Sequence, residues 1–204
     1  FLIIGAGLSG LYSALYASEF GKVCILTKSS IDESNSYWAQ GGIAAAIDTN
    51  DSVDSHFEDT IAVGSGLNKE DSSKIMVREG FDRVNELVKM GMEFDSDSSG
   101  FELGIEGGHS KRRILHALGN ETGRAVVEFL SKKIEKNKNI KILENTSVIE
   151  LFSDKRECFG CLVQGDKVKK KIAITAKSTI LATGGACGIY YNSTNPSATS
   201  GDGI

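Results

Sequence analysis

The chain begins with an apolar run, a cluster of glycines and then a segment whose apolar residues have helical spacing. Phe1 to Ile4 is apolar throughout, which is typical of a strand buried on both faces of a parallel sheet. Leu11 to Phe20 keeps its apolar residues on one side of a helix, and Lys22 to Lys28 resembles a second buried strand. The pattern therefore predicts a β–α–β unit at the start of the chain.

Three later segments repeat the helical period, and the chain then changes to strand-like alternation. The predicted helices are Val53 to Val63, Asp71 to Met90 (capped by Asp71 or Ser72 and stopped by Gly91) and Glu121 to Lys136. The predicted strands are Ile140 to Leu143, Val148 to Phe152, Cys158 to Gln164, Lys169 to Ala176 and Thr179 to Thr183. This order predicts an α/β fold in which a small antiparallel meander accompanies a parallel sheet. Ser29 to Asp54 has little periodicity, and a long segment of that kind is usually functional.

Composition excludes several classes of partner. Of the 204 residues, 25% are charged and 40% are hydrophobic, as in ordinary globular proteins. The net charge of −4 comes without a basic stripe, which argues against nucleic acid, and the apolar runs are too short to predict a membrane span. Cys158 and Cys161 have metal-like spacing but lack a second pair, so we predict free thiols, no metal and a reducing, cytoplasmic location.

The ends of the chain suggest that more sequence exists. Phe1 lies inside a predicted strand and is not a methionine, and Gly203-Ile204 follows a turn that would open a helix. We therefore expect residues 1–204 to be a piece of a longer protein.

Gly5, Gly7 and Gly10 have the spacing of a dinucleotide-binding turn between a strand and a helix. Such glycines permit a tight turn, close approach of a pyrophosphate and close packing of helix on strand. The amides at the helix N-terminus favour the phosphates. An NAD-binding domain would carry Asp or Glu at the end of the second strand, whereas this strand ends in Thr27-Lys28. A simple NAD dehydrogenase is therefore disfavoured.

A second candidate site is the charged segment from Glu106 to Arg113, which also contains His109. Arginine suits carboxylate recognition, and a carboxylate is the natural partner for a substrate ammonium. The competing interpretation is a salt-bridged loop in which Glu106 pairs with Arg112 or Arg113. Packing, cofactor contact and substrate contact remain open for the arginines and His109, while His116 is interpreted as structural.

Five blocks in one order resemble a known family. They are Gly5 to Gly10, Ser36 to Ala45 (Ser-Tyr-Trp-Ala-Gln-Gly-Gly-Ile-Ala-Ala), Glu106 to Ala117, Ala182 to Gly185 and Thr194 to Ile204. Together they resemble the succinate dehydrogenase/fumarate reductase flavoprotein superfamily, and within it the L-aspartate oxidases. The resemblance implies a doubly wound, Rossmann-like FAD-binding domain. It also implies that residues 1–204 are the N-terminal portion of that domain, that a capping domain and a C-terminal region are missing, and that this portion alone is inactive. The cofactor-binding residues that it implies are Gly5, Ala6, Gly7, Leu8, Ser9, Gly10, Lys28, Asn35, Ser36, Tyr37, Trp38, Ala39, Gln40, Gly41, Gly42, Ala182, Thr183, Gly184 and Asp202.

The resemblance also implies how FAD is held and what the enzyme does. Relatives with covalent FAD have a histidine at the place that Asn35 or Ser36 takes here, so the implied attachment is non-covalent. The implied reaction is oxidation of L-aspartate to iminoaspartate for NAD biosynthesis, with dioxygen or fumarate as acceptor and quinolinate synthase as a partner. Glu106 matches the position that orients the substrate amino group. Two alternatives stay open: a soluble fumarate reductase or succinate dehydrogenase type of flavoprotein, and a nucleotide-binding module without turnover.

Overall fold

The computed structural model describes residues 1–165 and 168–204, and it divides into two compact units. The first unit comprises Phe1–Ala39 and Gly123–Ile204, and the second unit comprises Gln40–Thr122. The helices are α1 (Leu8–Ala17), α2 (Val53–Val63), α3 (Glu70–Lys89) and α4 (Thr122–Glu135). The strands are β1 (Leu2–Ile4), β2 (Val23–Leu26), β3 (Ile43–Ala44), β4 (Ser96–Asp97), β5 (Gly100–Phe101), β6 (Leu103–Gly104), β7 (Ile114–Leu115), β8 (Ile140–Leu143), β9 (Thr146–Ser153), β10 (Cys158–Gly165), β11 (Val168–Thr175) and β12 (Thr179–Leu181).

The first unit is built on a parallel four-stranded sheet in the order β12-β1-β2-β8. The first strand is central, with Leu2 paired to Thr179 on one side and to Cys24 on the other. An antiparallel meander, β11-β10-β9, forms the second sheet of this unit. The predicted α/β class, with a parallel sheet and an antiparallel meander, is confirmed.

One apolar core joins the two sheets of the first unit. Leu2, Ile4 and Leu26 from the parallel strands pack with Cys161 and Val163 from β10. This explains why the alternation in β10 is clear in the sequence, since its inward residues are buried against the parallel sheet. Cys158 and Cys161 are free cysteines, and the thiol of Cys161 is fully buried here, whereas Cys158 is only partly buried.

The second unit contains α2, α3, the hairpin β4–β5 and an antiparallel three-stranded sheet in the order β3-β7-β6. Its buried residues include Val77, Val84 and Leu87 of α3, which lie on one helical stripe. The central strand β7 is completely buried, and Arg113 immediately before it is buried as well. The long unperiodic segment after β2 contributes β3 to this sheet.

The boundaries of several elements differ from the predicted ones. Helix α1 begins at Leu8, three residues before the predicted start at Leu11, so the last glycine of the turn, Gly10, lies inside the helix. Helix α3 begins after Lys69 and has no side-chain cap, so the predicted capping by Asp71 or Ser72 is wrong. Gly91 ends α3 as predicted, with a positive φ of 96°. In the described residues, no helix has the length and apolar character needed to cross a bilayer.

Candidate cofactor and substrate sites

The first unit contains a cleft of about 700 Å³ at the carboxyl ends of its parallel strands. Its lining includes the last residue of each of three strands and the residues that come next: Ile4 to Gly7 at β1, Leu26 to Ser30 at β2, and Leu181 to Gly184 at β12. Open α/β sheets bind ligands at this edge. The cleft volume lies within the usual range of small-molecule sites.

Two of the three glycines in the turn are required by close backbone packing. A Cβ atom on Gly5 would overlap the carbonyl oxygen of Ala182 on the neighbouring strand, and the φ of Gly5 is 112°. A Cβ atom on Gly10 would overlap the carbonyl oxygen of Gly5. Gly5 therefore brings β12 close to the turn, and Gly10 brings α1 close to β1.

Polar residues of the segment after β2 tie the walls of the cleft together. The Leu8 amide at the start of α1 donates to Oγ of Ser36 at 2.9 Å. The hydroxyl of Thr199 donates to Oδ1 of Asn35 at 2.8 Å. Ser36 therefore satisfies one free amide of the helix N-terminus, and Asn35 holds the terminal segment against the cleft.

Lys28 and Asp202, which the sequence places at the cofactor, meet directly at the cleft. Nζ of Lys28 lies 2.6 Å from Oδ2 of Asp202 and also donates to Oγ of Ser200. Hydrogen bonds from Lys28 and Ser200 hold the pKa of the Asp202 carboxyl below its ordinary value. The side chains are 36% and 63% exposed, so this ion pair itself contributes little to stability.

Two parts of the cleft wall are not among the predicted cofactor residues. Thr146 to Leu151, the first part of β9, lines one side of the cleft. Ala198 to Ser200 and Gly203 to Ile204 line it around Asp202. No local pattern in the β9 sequence indicates a ligand site. These residues reach the cleft only because β8 pairs with β2 and the chain then reverses into β9.

The residues of the cleft fit the phosphate and ribose part of a dinucleotide. Gly7 presents only backbone to the cleft, and a Cβ atom there would come within 3.1 Å of Oγ of Ser36. Backbone amides at the start of α1 and the cation of Lys28 supply the electrostatic partners that phosphates require. Lys28 stands where an NAD-binding domain would have a carboxylate.

Other predicted cofactor residues lie farther along the same segment. Tyr37 donates from its hydroxyl to Glu128 at 3.3 Å, and Trp38, which is 62% exposed, donates from its indole N–H to the carbonyl of Asp32. The carbonyl of Ala39 accepts the Gly123 amide at 2.9 Å, next to the start of α4. These contacts fix the segment's backbone and leave the indole ring of Trp38 largely exposed.

Gln40, Gly41 and Gly42 open the second unit, and the two glycines differ there. A Cβ atom on Gly42 would lie 2.6 Å from Cγ2 of Ile114 and 2.7 Å from the Leu115 carbonyl, so packing on β7 already requires glycine. A Cβ atom on Gly41 would have Oε2 of Glu106, at 4.0 Å, as its nearest neighbour. The open space over Gly41 leaves its backbone accessible to a planar ligand, whereas Gly42 has a structural role of its own.

Glu106 lies over Gly41 with an exposed carboxylate. In residues 1–165 and 168–204, no hydrogen bond or ion pair engages that carboxylate. The alternative in which Glu106 pairs with Arg112 or Arg113 is therefore wrong. Its charge remains available for a cationic group.

Arg113 is buried and forms ion pairs with two aspartates. Its guanidinium is fully buried and forms two bonds to Asp51, of 2.7 and 2.9 Å, and one of 2.7 Å to Asp59. Arg112 remains exposed and donates to the Leu103 carbonyl at 3.3 Å. Packing, cofactor contact and substrate contact were the three alternatives for Arg113. The structure supports packing, because two carboxylates already neutralise the charge of the guanidinium.

Two of the three histidines of the second unit, His56 and His109, lie beside this ion cluster. Nδ1 of His109 lies 3.4 Å from Nη1 of Arg113, and the ring of His109 contacts that of His56 with centroids 5.7 Å apart. Burial, reinforced by the positive charge of Arg113, lowers the pKa of His56 below its ordinary 6.5. His116 is wedged between the backbones of Gly42 and Gly104, which agrees with a structural role.

Comparison with known proteins decides the family. The whole chain, residues 1–204, matches the family described as FAD binding domain. The chain belongs to this FAD-binding domain family. FAD is therefore the cofactor that the family assignment supports for this chain.

Several curated relatives are named L-aspartate oxidase. The chain is 40% identical to L-aspartate oxidase 1 of Ralstonia nicotianae over 99% of its length, and 40% identical to that of Clostridium acetobutylicum over 100%. It is 38% identical to the chloroplastic enzyme of rice over 100% of its length. The chain spans 39%, 46% and 32% of the lengths of these relatives, respectively.

Solved flavoproteins share the fold. The chain matches E. coli quinol fumarate reductase (FrdA) with a TM-score of 0.93 at 26% identity, covering 100% of this chain and 35% of that one. It matches the Mycobacterium smegmatis Sdh1 complex in the apo form with a TM-score of 0.91 at 31% identity, covering 99% of this chain and 37% of that one. The predicted membership in a superfamily of FAD-dependent oxidoreductases is confirmed.

Proposed function

We propose that this chain is the FAD-binding portion of an enzyme that oxidises L-aspartate to iminoaspartate in NAD biosynthesis. Aspartate loses two electrons and two protons at its Cα–N bond, and either dioxygen becomes hydrogen peroxide or fumarate becomes succinate. When bound, FAD supplies the two-electron acceptor for this oxidation. The names of the curated relatives and the free carboxylate of Glu106 support this assignment.

The observation that carries the proposal is the position of Glu106. Its carboxylate is unpaired in the described part of the chain and lies 4.0 Å from the site of a Cβ atom on Gly41. A free carboxylate beside accessible backbone gives a substrate ammonium a charge-assisted partner. Succinate and fumarate have no ammonium, so a site built for them alone would gain nothing from this group.

The chain's own residues divide the work between holding the cofactor and orienting the substrate. Gly5 and Gly7 let the backbone approach the pyrophosphate, and Gly10 lets α1 pack on β1. Lys28 and Asp202 complete the polar lining of the cleft. Gly41 leaves room for a planar ring, and Glu106 orients the amino group. The same proposal includes cofactor contacts at Leu8, Tyr37, Trp38, Ala39 and Gln40, through the backbone of these residues.

We further propose that FAD is held without a covalent bond. Asn35 and Ser36 occupy the region of attachment, and their side chains are already engaged by Thr199 and by the Leu8 amide. Neither side chain has a ring nitrogen that could form a histidyl link. Quinolinate synthase, as the protein that receives the product, and a reducing cytoplasmic location, which four free thiols favour, complete the proposal.

A single substitution tests the role of Glu106 in the full-length protein. Glu106→Gln keeps size and shape but removes the charge, so kcat/KM for aspartate should fall roughly 10- to 1,000-fold. Fumarate reduction should change much less. Glu102→Gln, an exposed carboxylate on the same stretch, is the matched control. Equal losses on aspartate and fumarate would remove Glu106 from substrate recognition and favour the fumarate reductase alternative.

A further inference from the structure

Glu106 opens a tight turn that is attached to the rest of the second unit at its far end. The amide of His109 donates to the carbonyl of Glu106 at 3.1 Å, which closes the turn over Gly107 and Gly108. Ser110 follows immediately. The backbone position of Glu106, from which its carboxylate extends, is therefore set by where this turn is anchored. In the described residues, the carboxylate itself has no hydrogen bond or ion pair.

Asp59 of α2 is the anchor of that turn. Its Oδ2 accepts hydrogen bonds from the amide of Ser110 at 2.8 Å, from the hydroxyl of Ser110 at 2.9 Å and from Nη1 of Arg113 at 2.7 Å. Burial alone would raise the pKa of Asp59, but these bonds together lower it below its ordinary value. Asp59 is thus a fixed anion at the base of the loop, and its partner Arg113 is itself held by Asp51.

A second contact on the same helix face supports the turn. A Cβ atom on Gly108 would lie 2.6 Å from Cγ1 of Val63. Val63 and Asp59 are four residues apart on α2 and so lie on one face of that helix. The turn carrying Glu106 therefore rests on one helical face through a polar anchor and an apolar contact.

We propose that Asp59 is a positioning residue for Glu106 and thereby a determinant of the preference for amino dicarboxylates over those without an amino group. This inference rests on the proposed function. Asp59 touches no substrate; it sets the place at which the Glu106 carboxylate meets the ammonium. Misplacing a recognition group by about 1 Å costs on the order of 100-fold in rate, so loss of the anchor affects aspartate selectively.

The test uses the full-length, FAD-loaded protein with three single variants. Asp59→Asn weakens all three hydrogen bonds at the anchor, and Ser110→Ala removes only the hydroxyl donor. Glu58→Gln, an exposed neighbour on α2, is the matched control. We expect the ratio of aspartate to fumarate kcat/KM to fall about 10- to 100-fold in Asp59→Asn. We expect a fall of a few-fold in Ser110→Ala and no change in the control. Melting temperatures identify any variant that fails to fold, in which case Ser110→Ala decides.

A double-mutant cycle shows whether Asp59 acts through Glu106. If it does, adding Asp59→Asn to Glu106→Gln lowers the ratio little further, because the group being positioned no longer carries charge. Additive losses, or an unchanged ratio in both anchor variants, would overturn the inference. An unchanged ratio in Glu106→Gln alone would instead overturn the proposed substrate role of Glu106, so the two failures are distinguishable.

Discussion

The two units use opposite means to build their candidate sites. In the first unit, the cleft depends on close backbone packing at its glycine turn, and its charged pair, Lys28–Asp202, is partly solvent-exposed. In the second unit, the loop that carries Glu106 depends on Arg113, whose buried charge is shared by Asp51 and Asp59. A backbone site tolerates changes in side-chain charge but not added atoms. A buried ion cluster tolerates neither the loss of a partner nor an uncompensated charge.

The largest effect should follow removal of the buried guanidinium. Arg113→Met leaves two carboxylates without their partner, and breaking such a cluster costs about 3–5 kcal/mol of unfolding free energy. Arg112→Met, at the exposed neighbour, should stay within about 0.5 kcal/mol. Urea unfolding of both variants measures the difference. Similar stabilities would mean that the cluster is not what holds the second unit.

In the first unit, a single methyl group should matter more than a charge. Gly10→Ala places a Cβ atom against the carbonyl oxygen of Gly5, so the turn must open and FAD affinity should fall about 100-fold or more. Gly80→Ala is the control, since its Cβ atom would meet nothing within 4 Å in α3. That helical substitution should leave FAD affinity intact and raise stability by about 0.5–1 kcal/mol. Fluorescence titration with FAD reports the affinity, and normal binding by Gly10→Ala would contradict the backbone account.

The stability of the second unit should also depend on pH through His56, although this effect should be smaller. His56 is buried, and its folded-state pKa lies below the ordinary 6.5. The unfolded chain therefore binds the proton more readily, so the contribution of His56 to stability is complete above about pH 6.5 and is lost as the pH falls. His56→Phe should show a smaller drop in melting temperature between pH 7 and pH 5 than the unmodified protein. Parallel curves for the two proteins would exclude His56 as the titrating group.

What the sequence could predict follows the same division. The glycine turn, the parallel strands and the meander depend on local patterns, so their order was predictable, and errors fell at boundaries such as the start of α1 at Leu8. The role of Glu106 in substrate recognition stays a prediction. The pairing of Arg113 with Asp51 and Asp59, 62 and 54 residues away in sequence, was not predictable, because an arginine next to a second arginine carries no sign of which one is buried.

Long-range partners also explain the missed parts of the cleft. Thr146 to Leu151 reach the glycine turn only because β8 pairs with β2. The link from Lys28 to Asp202 spans 174 residues, and both residues were identified by their place in a motif without any indication that they touch. A sequence motif indicates which residues belong to a site, but it does not indicate which of those residues contact one another.

The most direct test of the proposed function is anaerobic mixing of the full-length, FAD-loaded protein with L-aspartate. The visible absorbance of oxidised flavin should bleach with aspartate and much less with the same concentration of succinate, because only aspartate offers an ammonium to Glu106. Acid precipitation of the same sample should leave the yellow colour in the supernatant. Bleaching by succinate alone, or no bleaching by aspartate, would contradict the account.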